Sequence, residues 1–376
     1  MTQRTFRFGI IGCGLMGREF ASAAARWCHL LDLDVRPEIV AVCDANPDAM
    51  GWFTANVPSV RMATTSYAEL LADPEVEAVY CAVPHNLHER LYVDIVRAGK
   101  HLFAEKPFGI DLRACQSILA AMRENPEVFV RCSSEFPYYP GAQRIARMIE
   151  QEAFGQIIEV RAGFLHSSDL DPNKPINWKR RIATCGEYGC MGDLGMHVLH
   201  MPLRAGWRPK NVRALLSKVV ERRPDGHGGM APCETWDNAI LACESVQGFP
   251  LVLETKRISP GDTNTWYLRV VGTENSAEFT THRPKTIRTL PYKSGGHQAW
   301  QEEDLGYEGV FKGITGHIFE FGFADAIQHM WASFLQELSG GVPRYGCATP
   351  EEALGSHRLF TAALESQRTD ATVALE

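Results

Sequence analysis

The sequence predicts an α/β protein of two domains, an N-terminal parallel sheet flanked by helices and a C-terminal α/β domain with a large, mostly antiparallel open sheet. A chain of 376 residues is too long for one core of ordinary size. Short apolar strands alternate with helical patterns in the first third, which is typical of parallel sheets. Strands then follow one another directly over residues 212–280, which favours antiparallel pairing. We place the domain boundary between residues 132 and 133, giving domains 1–132 and 133–376.

The N-terminal strands are short apolar runs separated by amphipathic helical segments. Their continuous apolar composition indicates burial on both faces of a sheet. The predicted strands are Phe6–Ile11, Ile39–Cys43, Ala78–Val83, His101–Ala104 and Val128–Cys132. We interpret the segment Asp32–Glu38 as a small insertion before the second of these strands.

The C-terminal pattern changes to longer alternating strands beside a few helices. The predicted helices are 142–151, Asp193–Leu203, Ala324–Leu338 and Glu351–Gln367. The predicted strands are Ile157–Phe164, Val212–Glu221, Asn238–Glu244, Leu251–Ile258, Trp266–Val271 and Ala277–Thr280. The stretch 282–322 is rich in glycine and polar residues and is predicted to form long loops.

Composition excludes several classes of function. The net charge of −7 provides no general field for nucleic acids or anionic membranes. No apolar run approaches the ~20 residues that span a bilayer, and the N-terminus shows no secretory signal pattern. The eleven cysteines are scattered without a C-x-x-C pair. We therefore expect reduced thiols in a cytoplasmic protein.

A glycine motif follows the first strand and opens a helix. It consists of Gly12, Cys13, Gly14, Leu15, Met16 and Gly17. The first glycine permits a tight turn, the second leaves room for a pyrophosphate, and the third lets helix and strand pack closely. The helix N-terminus adds N–H groups for the phosphates. This context predicts a Rossmann dinucleotide-binding domain.

Asp44 ends the second strand, where such domains carry an acid for the adenine ribose. A carboxylate there accepts hydrogen bonds from ribose hydroxyls and repels a 2′-phosphate. No arginine follows, since the next residues are Ala45 and Asn46. We expect NAD rather than NADP; the alternative is that Asp44 only caps the next helix.

Three further segments, in this order, make the chain resemble the glucose-fructose oxidoreductase/inositol dehydrogenase/rhizopine-catabolism (Gfo/Idh/MocA) family. They are Val83-Pro84-His85-Asn86-Leu87-His88, Glu105-Lys106-Pro107 and Gly192-Asp193-Leu194-Gly195-Met196-His197. Val83 and His85 depart from the usual Thr-Pro-Asn. The resemblance implies sugar, glycoside or polyol substrates, and homodimers or homotetramers.

The resemblance also implies the roles of individual residues. Lys106, Asp193 and His197 correspond to the catalytic positions, while Val83, Pro84, His88, Glu105 and Lys106 join the glycine motif and Asp44 around the cofactor. A lysine at the carboxyl end of a strand stabilises alkoxide character as hydride leaves. Imidazole titrates near neutral pH, so His197 is a candidate general base. Asp193 would orient the substrate or hold His197 in the required tautomer.

His200 departs from the aspartate that members of the family often carry. On a helix, Asp193, His197 and His200 share one face, which also permits a metal-binding interpretation. Hydride transfer to NAD needs no metal when a base is present. We therefore predict no metal, and we expect His200 to contact the substrate or pack behind the site.

A basic cluster, Trp178-Lys179-Arg180-Arg181, precedes the predicted catalytic helix. Adjacent cations repel one another unless an anion or water compensates them. Trp178, Lys179 and Arg180 are therefore predicted substrate contacts, with an anionic sugar or glycoside as the preferred substrate. The alternatives are that the cluster binds the cofactor or is a solvated turn.

The function predicted from these features is hydride transfer between a hydroxyl-bearing carbon and NAD, with Lys106 and His197 as acid/base groups. The alternative is an NAD-dependent oxidative glycosidase, which oxidises, eliminates, hydrates and re-reduces. That activity needs a further acid/base group such as Glu187, Tyr188 or His297. A regulator that only senses NAD is a third hypothesis, which the three catalytic-type residues disfavour.

Overall fold

A computed structural model describes residues 3–375. The first part of the chain alternates strands and helices. Its elements are β1 (Arg4–Ile11), α1 (Leu15–Ala25), β2 (Val35–Cys43), α2 (Pro47–Asn56), β3 (Met62–Thr64), α3 (Tyr67–Ala72), β4 (Ala78–Cys81), α4 (His88–Arg97), β5 (His101–Ala104), α5 (Leu112–Glu124) and β6 (Val130–Cys132).

The second part is richer in strands. Its elements are α6 (Pro140–Glu150), β7 (Ile157–His166), α7 (Ile182–Cys185), α8 (Cys190–Arg204), β8 (Asn211–Ser217), β9 (Arg222–Pro224), β10 (Met230–Pro232), β11 (Asn238–Glu244), β12 (Pro250–Lys256), β13 (Asn264–Gly272), β14 (Asn275–Thr280), β15 (Thr286–Pro291), β16 (Gln301–Asp304), α9 (Phe323–Leu338), α10 (Pro350–Thr369) and β17 (Val373–Ala374).

The first sheet has six parallel strands in the order β3-β2-β1-β4-β5-β6, which confirms the predicted Rossmann domain. The strand order reverses between β1 and β4, so ligands are expected at the carboxyl ends of these strands. β2 begins at Val35, so the second half of the proposed insertion Asp32–Glu38 lies within this strand. Alternating burial from Val35 to Glu38 shows that these residues extend the strand instead.

The chain divides into two compact units, and the division is not a single cut. Gly309–Pro350 belong to the first unit with the residues up to Tyr138, whereas Tyr139–Glu308 and the residues from Glu351 form the second unit. The predicted boundary at 132/133 does not include residues 309–350 in the first domain. These residues belong to the first unit because α9 packs there: its Trp331 stacks on Phe20 with a centroid separation of 3.5 Å. An apolar helix face of this kind is stabilised only by burial against another element.

The second sheet has nine strands in the order β16-β15-β14-β13-β7-β12-β11-β8-β17. Only the β7–β12 pair is parallel among these described strands, so the mostly antiparallel sheet is confirmed. β15 and β16 lie where loops were predicted over 282–322. Every residue of β16 is exposed, so this edge strand has no apolar alternation for a sequence pattern to detect.

α8 lies against this sheet and carries the predicted catalytic residues of the second unit. It begins at Cys190, earlier than the predicted Asp193, and its residues are buried through Pro202. The Trp266 indole N–H donates to the His197 carbonyl oxygen at 2.9 Å, which ties the helix to β13.

No helix within residues 3–375 combines the length and apolar character needed to span a membrane. All eleven cysteines are free thiols, and only Cys28 among them is exposed.

Candidate active site

The glycine loop of the first unit has the geometry that a dinucleotide requires. Gly12 has a φ of +100°, and a Cβ there would lie 2.2 Å from the Ala82 carbonyl oxygen. A Cβ on Gly17 would lie 2.5 Å from the Gly12 carbonyl oxygen, so α1 packs closely on the loop. By contrast, a Cβ on Gly14 would meet no described atom within 4 Å. The open space lies at the glycine that is expected to face a pyrophosphate.

The N-terminus of α1 suits an anion. Gly14 is the N-cap, no described side chain caps the helix, and its first turn carries no acidic residue. The first-turn N–H groups of a helix have no intrahelical acceptors and lie at the positive end of its dipole. Leu15 is exposed and Met16 half-buried, so their backbone can be approached from solvent. Burial raises the pKa of the Cys13 thiol to about 12, which keeps it neutral beside a phosphate.

The backbone of the glycine loop orients the Asp44 side chain. The Cys13 N–H donates to Asp44 Oδ2 at 2.8 Å, and the Asn46 N–H donates to Oδ1 at 2.8 Å. The carboxylate is half-buried. Each oxygen keeps acceptor capacity beyond one backbone bond, so the group fits ribose hydroxyls as donors.

Val83 and Pro84 follow β4 at the carboxyl edge of the sheet, but His88 has another role than the predicted cofactor contact. Its ring is fully buried, with Nδ1 2.7 Å from the Pro107 carbonyl oxygen and Nε2 2.9 Å from the Val83 carbonyl oxygen. Burial lowers the pKa of His88 to about 4, so the neutral ring donates its single N–H to one of these carbonyls. We therefore withdraw His88 as a direct cofactor contact and assign it to bracing the two loops.

Glu105, which was predicted to contact the cofactor, is buried and hydrogen-bonded to its surroundings. The Tyr80 hydroxyl donates to Oε1 at 2.6 Å, and the Lys106 backbone N–H donates to Oε2 at 3.3 Å. The Tyr92 hydroxyl donates to the Glu105 carbonyl oxygen at 2.8 Å. Both carboxylate oxygens are thus engaged in a buried position. Lys106, by contrast, is half-buried and lies two residues beyond the last residue of β5, where the Glu105 carboxylate holds its backbone N–H.

Glu135 is a buried acid that the sequence analysis missed. It follows β6, whose Cys132 pairs with Ala104 of β5, and the Ser133 N–H donates to the Ala104 carbonyl oxygen at 2.9 Å. This register brings Glu135 near the Glu105-Lys106 segment. Burial, and secondarily the Glu105 carboxylate, raises the pKa of Glu135 to about 7. No short motif marks the residue, because its environment comes from strand pairing.

We expect Glu135→Gln to stabilise the protein at alkaline but not at acidic pH. The folded protein holds this proton more tightly than the unfolded chain, whose acid has a pKa of 4.5. The wild type therefore loses stability as the pH rises from about 4.5 to about 7, whereas the neutral amide does not. The expected gain in unfolding free energy is about 3 kcal/mol at about pH 8 and near zero at about pH 4.

Denaturant unfolding at the two pH values measures this gain. Glu127→Gln is the matched control, because Glu127 is exposed just before β6. Equal stability of the Glu135→Gln variant and the wild type at both pH values would show that Glu135 titrates normally.

In the second unit, α8 places Asp193 and His197 one turn apart, and both are buried. The His197 ring makes an edge contact with Phe164 of β7, with a centroid separation of 5.3 Å. Both Asp193 oxygens accept from Lys179 Nζ at 3.0 Å, and Arg257 donates to Oδ2 as well. Asp193 is therefore held by two cations from outside its helix.

Buried ion pairs extend this contact into a network. Arg180 bridges Asp169 and Asp237, and Arg257 donates from Nε to Asp169 Oδ2 at 2.8 Å. Burial opposes ionisation of Asp169, but the charges of Arg257 and Arg180 hold the pKa of its carboxyl below its usual range. Unlike Arg180 and Arg257, Lys179 is partly exposed to solvent, with 28% of its side-chain surface accessible.

The prediction that Arg180 binds an anionic substrate is therefore wrong. Its side chain has 0% exposure, and the anions that compensate it are Asp169 and Asp237 of the same unit. Lys179 is likewise paired with Asp193, while Trp178 is half-buried and lies 5.4 Å from the Lys179 ammonium. Carboxylates of the protein itself therefore balance the charges of Lys179 and Arg180. Only Arg181 in this cluster is exposed to solvent.

His200 is fully buried and is withdrawn as a substrate contact. Its Nε2 accepts from the Arg204 guanidinium at 3.3 Å and lies 3.9 Å from Glu352 Oε2. Arg204 Nε also donates to Glu352 at 2.6 Å. His200 thus joins α8 to α10. Among residues 3–375 no group of three His, Cys, Asp or Glu side chains is arranged to hold a metal.

Tyr188, one candidate for the extra acid/base group that glycoside cleavage would need, is buried against α10. Its buried hydroxyl lies 2.7 Å from Thr361 Oγ1 and donates to the His357 carbonyl oxygen at 3.3 Å. Glu187 and His297 are exposed.

Comparison with known proteins places these features in a family. Residues 6–132 match the model of the oxidoreductase family with an NAD-binding Rossmann fold, and residues 142–278 match the GFO/IDH/MocA C-terminal domain. Levoglucosan dehydrogenase of Pseudarthrobacter phenanthrenivorans is 25% identical over 343 residues, covering 83% of this chain and 87% of that protein. Trans-1,2-dihydrobenzene-1,2-diol dehydrogenase of Danio rerio is 30% identical over 158 residues, covering 42% and 45%.

Solved structures share the fold over the full length. Levoglucosan dehydrogenase in complex with NADH and levoglucosan superposes with a TM-score of 0.89 at 21% identity, covering 99% of this chain and 100% of that one. The family models span most of the chain and name both domains. The protein therefore belongs to the Gfo/Idh/MocA family of oxidoreductases and carries that family's NAD-binding Rossmann domain.

Proposed function

We propose that the protein is an NAD-dependent dehydrogenase of a neutral sugar, glycoside or polyol. The observation that carries the proposal is the fit of the glycine loop to a pyrophosphate, with open space at Gly14 and closed contacts at Gly12 and Gly17. Asp44, Val83 and Pro84 would complete the cofactor contacts. When bound, NAD supplies the hydride acceptor.

Lys106 and His197 are the proposed acid/base groups. Lys106 follows β5 in the first unit, and its ammonium would stabilise developing alkoxide on the substrate oxygen. His197 lies in the second unit on α8 and would accept the hydroxyl proton. Asp193 would orient the substrate, since its carboxylate is held by Lys179 and Arg257.

A neutral substrate follows from the charges of the second unit. Lys179, Arg180 and the nearby Arg257 are each already paired with a protein carboxylate, so an additional anion would compete with Asp193 or Asp169. Trp178 and Lys179 remain proposed substrate contacts, the lysine as a hydrogen-bond donor. The similarity to a levoglucosan dehydrogenase supports an uncharged sugar or anhydrosugar.

The test is a screen of neutral sugars, anhydrosugars and polyols against the corresponding sugar acids, with NAD and spectroscopic detection of NADH. We expect stoichiometric NADH with a neutral compound. Release of aglycone from glycosides without net NADH would establish the oxidative glycosidase instead. Binding of NAD without turnover of any compound would favour a regulator.

We expect Asp44 to set the choice of cofactor. The wild type should bind NAD more tightly than NADP, because the carboxylate repels a 2′-phosphate. Combining Asp44→Ala with Ala45→Arg should narrow this difference by roughly tenfold or more, through one charge-assisted contact. Calorimetric titration of both cofactors measures it, and tighter NADP binding by the wild type would contradict the assignment.

Asp44→Asn is the control for the loop itself. Its amide retains a hydrogen-bond acceptor for Cys13 or Asn46 but carries no charge. A loss of NAD affinity without any change in the NAD/NADP ratio would mean that Asp44 acts on the glycine loop alone.

We also propose a cytoplasmic homodimer or homotetramer. One face of the second sheet exposes the apolar side chains of Leu215 and Ile240, which are paired directly across the neighbouring strands β8 and β11. Such faces are typical of interfaces between copies. Light scattering on the purified protein determines the state.

A further inference from the structure

An arginine outside every motif of the sequence connects two buried carboxylates of the second unit. Arg257 directly follows β12 and is 6% exposed. Its Nε donates to Asp169 at 2.8 Å, one terminal nitrogen donates to Asp193, and the other lies 3.4 Å from Ser168 Oγ. The planar guanidinium thus spans both acids at once.

We propose that Arg257 is a positioning residue for the reaction: by bridging Asp169 and Asp193 it holds the Asp193 carboxylate ionised and in one orientation beside Lys179. The inference rests on the proposed function for its catalytic consequence, but the bridge itself can be tested without turnover. Arg257 is not itself proposed to touch substrate or cofactor.

The backbone around Arg257 explains why it cannot easily turn away. Its N–H donates to the Asp237 carbonyl oxygen at 2.9 Å, and its carbonyl oxygen accepts from the Asp169 N–H at 3.4 Å. Asp237 in turn is held by Arg180 and by the Val219 N–H at 2.6 Å. The Arg257 backbone is therefore held in place, and so are the acids that its side chain contacts.

Charge explains why Asp193 needs this arginine in addition to Lys179. Asp193 is 2% exposed, and a buried carboxylate is costly unless its partners are close and well aligned. Lys179 is partly exposed and carries a flexible, strongly hydrated ammonium. Arg257 supplies a buried, permanently charged and planar partner, and a lysine in its place could not reach both acids.

The other titratable groups around Asp193 do not replace this charge. Burial raises the pKa of the Cys185 and Cys190 thiols, so both stay neutral at physiological pH. His197 lies one turn along α8 and is assigned to the proton transfer. Asp169 is itself an anion. Lys179 and Arg257 are cations that donate hydrogen bonds directly to Asp193.

Arg257→Lys and Arg257→Met test the role through kinetics. We expect kcat to fall roughly ten- to a hundredfold, as for a displaced reacting group, with NAD affinity unchanged because the glycine loop lies in the other unit. The acidic limb of the kcat/KM profile should move to higher pH, since Asp193 protonates more readily without Arg257. Arg161→Lys is the matched control, because Arg161 lies exposed on neighbouring β7 and pairs with Glu159.

A direct titration of Asp193 gives a readout that needs no substrate. The protein is labelled with carboxyl-¹³C aspartate, and Asp193→Asn assigns the resonance. We expect the pKa of Asp193 to rise in Arg257→Met and to be unchanged in Arg161→Lys. Unchanged kcat together with an unchanged Asp193 titration would overturn the proposal. If the wild type oxidises no sugar, the proposed function fails, whereas this titration still decides the role of Arg257.

Should Arg257→Met fail to fold, the double variant with Asp169→Asn removes the carboxylate that the single variant leaves uncompensated. We expect the double variant to fold and bind NAD but to keep the raised Asp193 pKa and low kcat. Recovery of wild-type kcat in this folded double variant would show that Arg257 serves stability alone.

Discussion

Arg180→Met is expected to lower the unfolding free energy of the protein by about 3–5 kcal/mol. The side chain is fully buried between Asp169 and Asp237. Its removal leaves two buried carboxylates with too little compensating charge. Because these acids belong to the network that holds Asp193, turnover should also fall, but equally for charged and neutral compounds.

Denaturant unfolding of the wild type, Arg180→Met and Arg181→Met measures this effect. Arg181 is the matched control, since it is the next residue in the chain and is exposed. We expect Arg181→Met to change stability by less than about 0.5 kcal/mol. A stable Arg180→Met variant with a raised KM for an anionic sugar alone would restore the interpretation of Arg180 as an anion-binding residue.

Lys106→Ala is expected to lower kcat by ~10²-fold or more while leaving the fold and the NAD affinity intact. Lys106 is half-buried just after β5, and Glu105 holds its backbone independently of the side chain. Steady-state kinetics and calorimetric titration with NAD measure the two effects separately. An unchanged kcat would remove Lys106 from the mechanism.

Lys106→Arg separates the two roles that the lysine could have. Arginine keeps the positive charge but does not give up its proton at neutral pH. Recovery of most of the activity would indicate electrostatic stabilisation of the alkoxide, whereas activity as low as that of Lys106→Ala would indicate proton transfer. Lys312→Ala is the control in the same unit, because its ammonium is exposed and pairs only weakly with exposed Asp32.

Local signals in the sequence were sufficient for the first unit. The glycine motif, Asp44 and Lys106 each sit at the carboxyl end of a strong apolar strand, and strand ends meet at one edge of a parallel sheet. Their secondary-structure context therefore predicts their placement. The same reasoning did not predict the direction of the His88 and Glu105 side chains, because proximity to a site does not tell which way a side chain turns. Hydrogen bonds to Pro107, Val83 and Tyr80 decided that.

The sequence by itself thus determined the α/β class, five of the six Rossmann strands (all but β3) and the cofactor loop, since these depend on periodicity and on residues close together in the chain. Only the tertiary structure decided which charged side chains of the second unit are paired, because the partners are distant in the sequence. Arg180 and Asp237 lie 57 residues apart, and Arg257 and Asp193 lie 64 residues apart. A run of adjacent cations looks unpaired until folding brings carboxylates to it, and desolvation then makes those pairs obligatory. The substrate class inferred from that run changed accordingly from anionic to neutral.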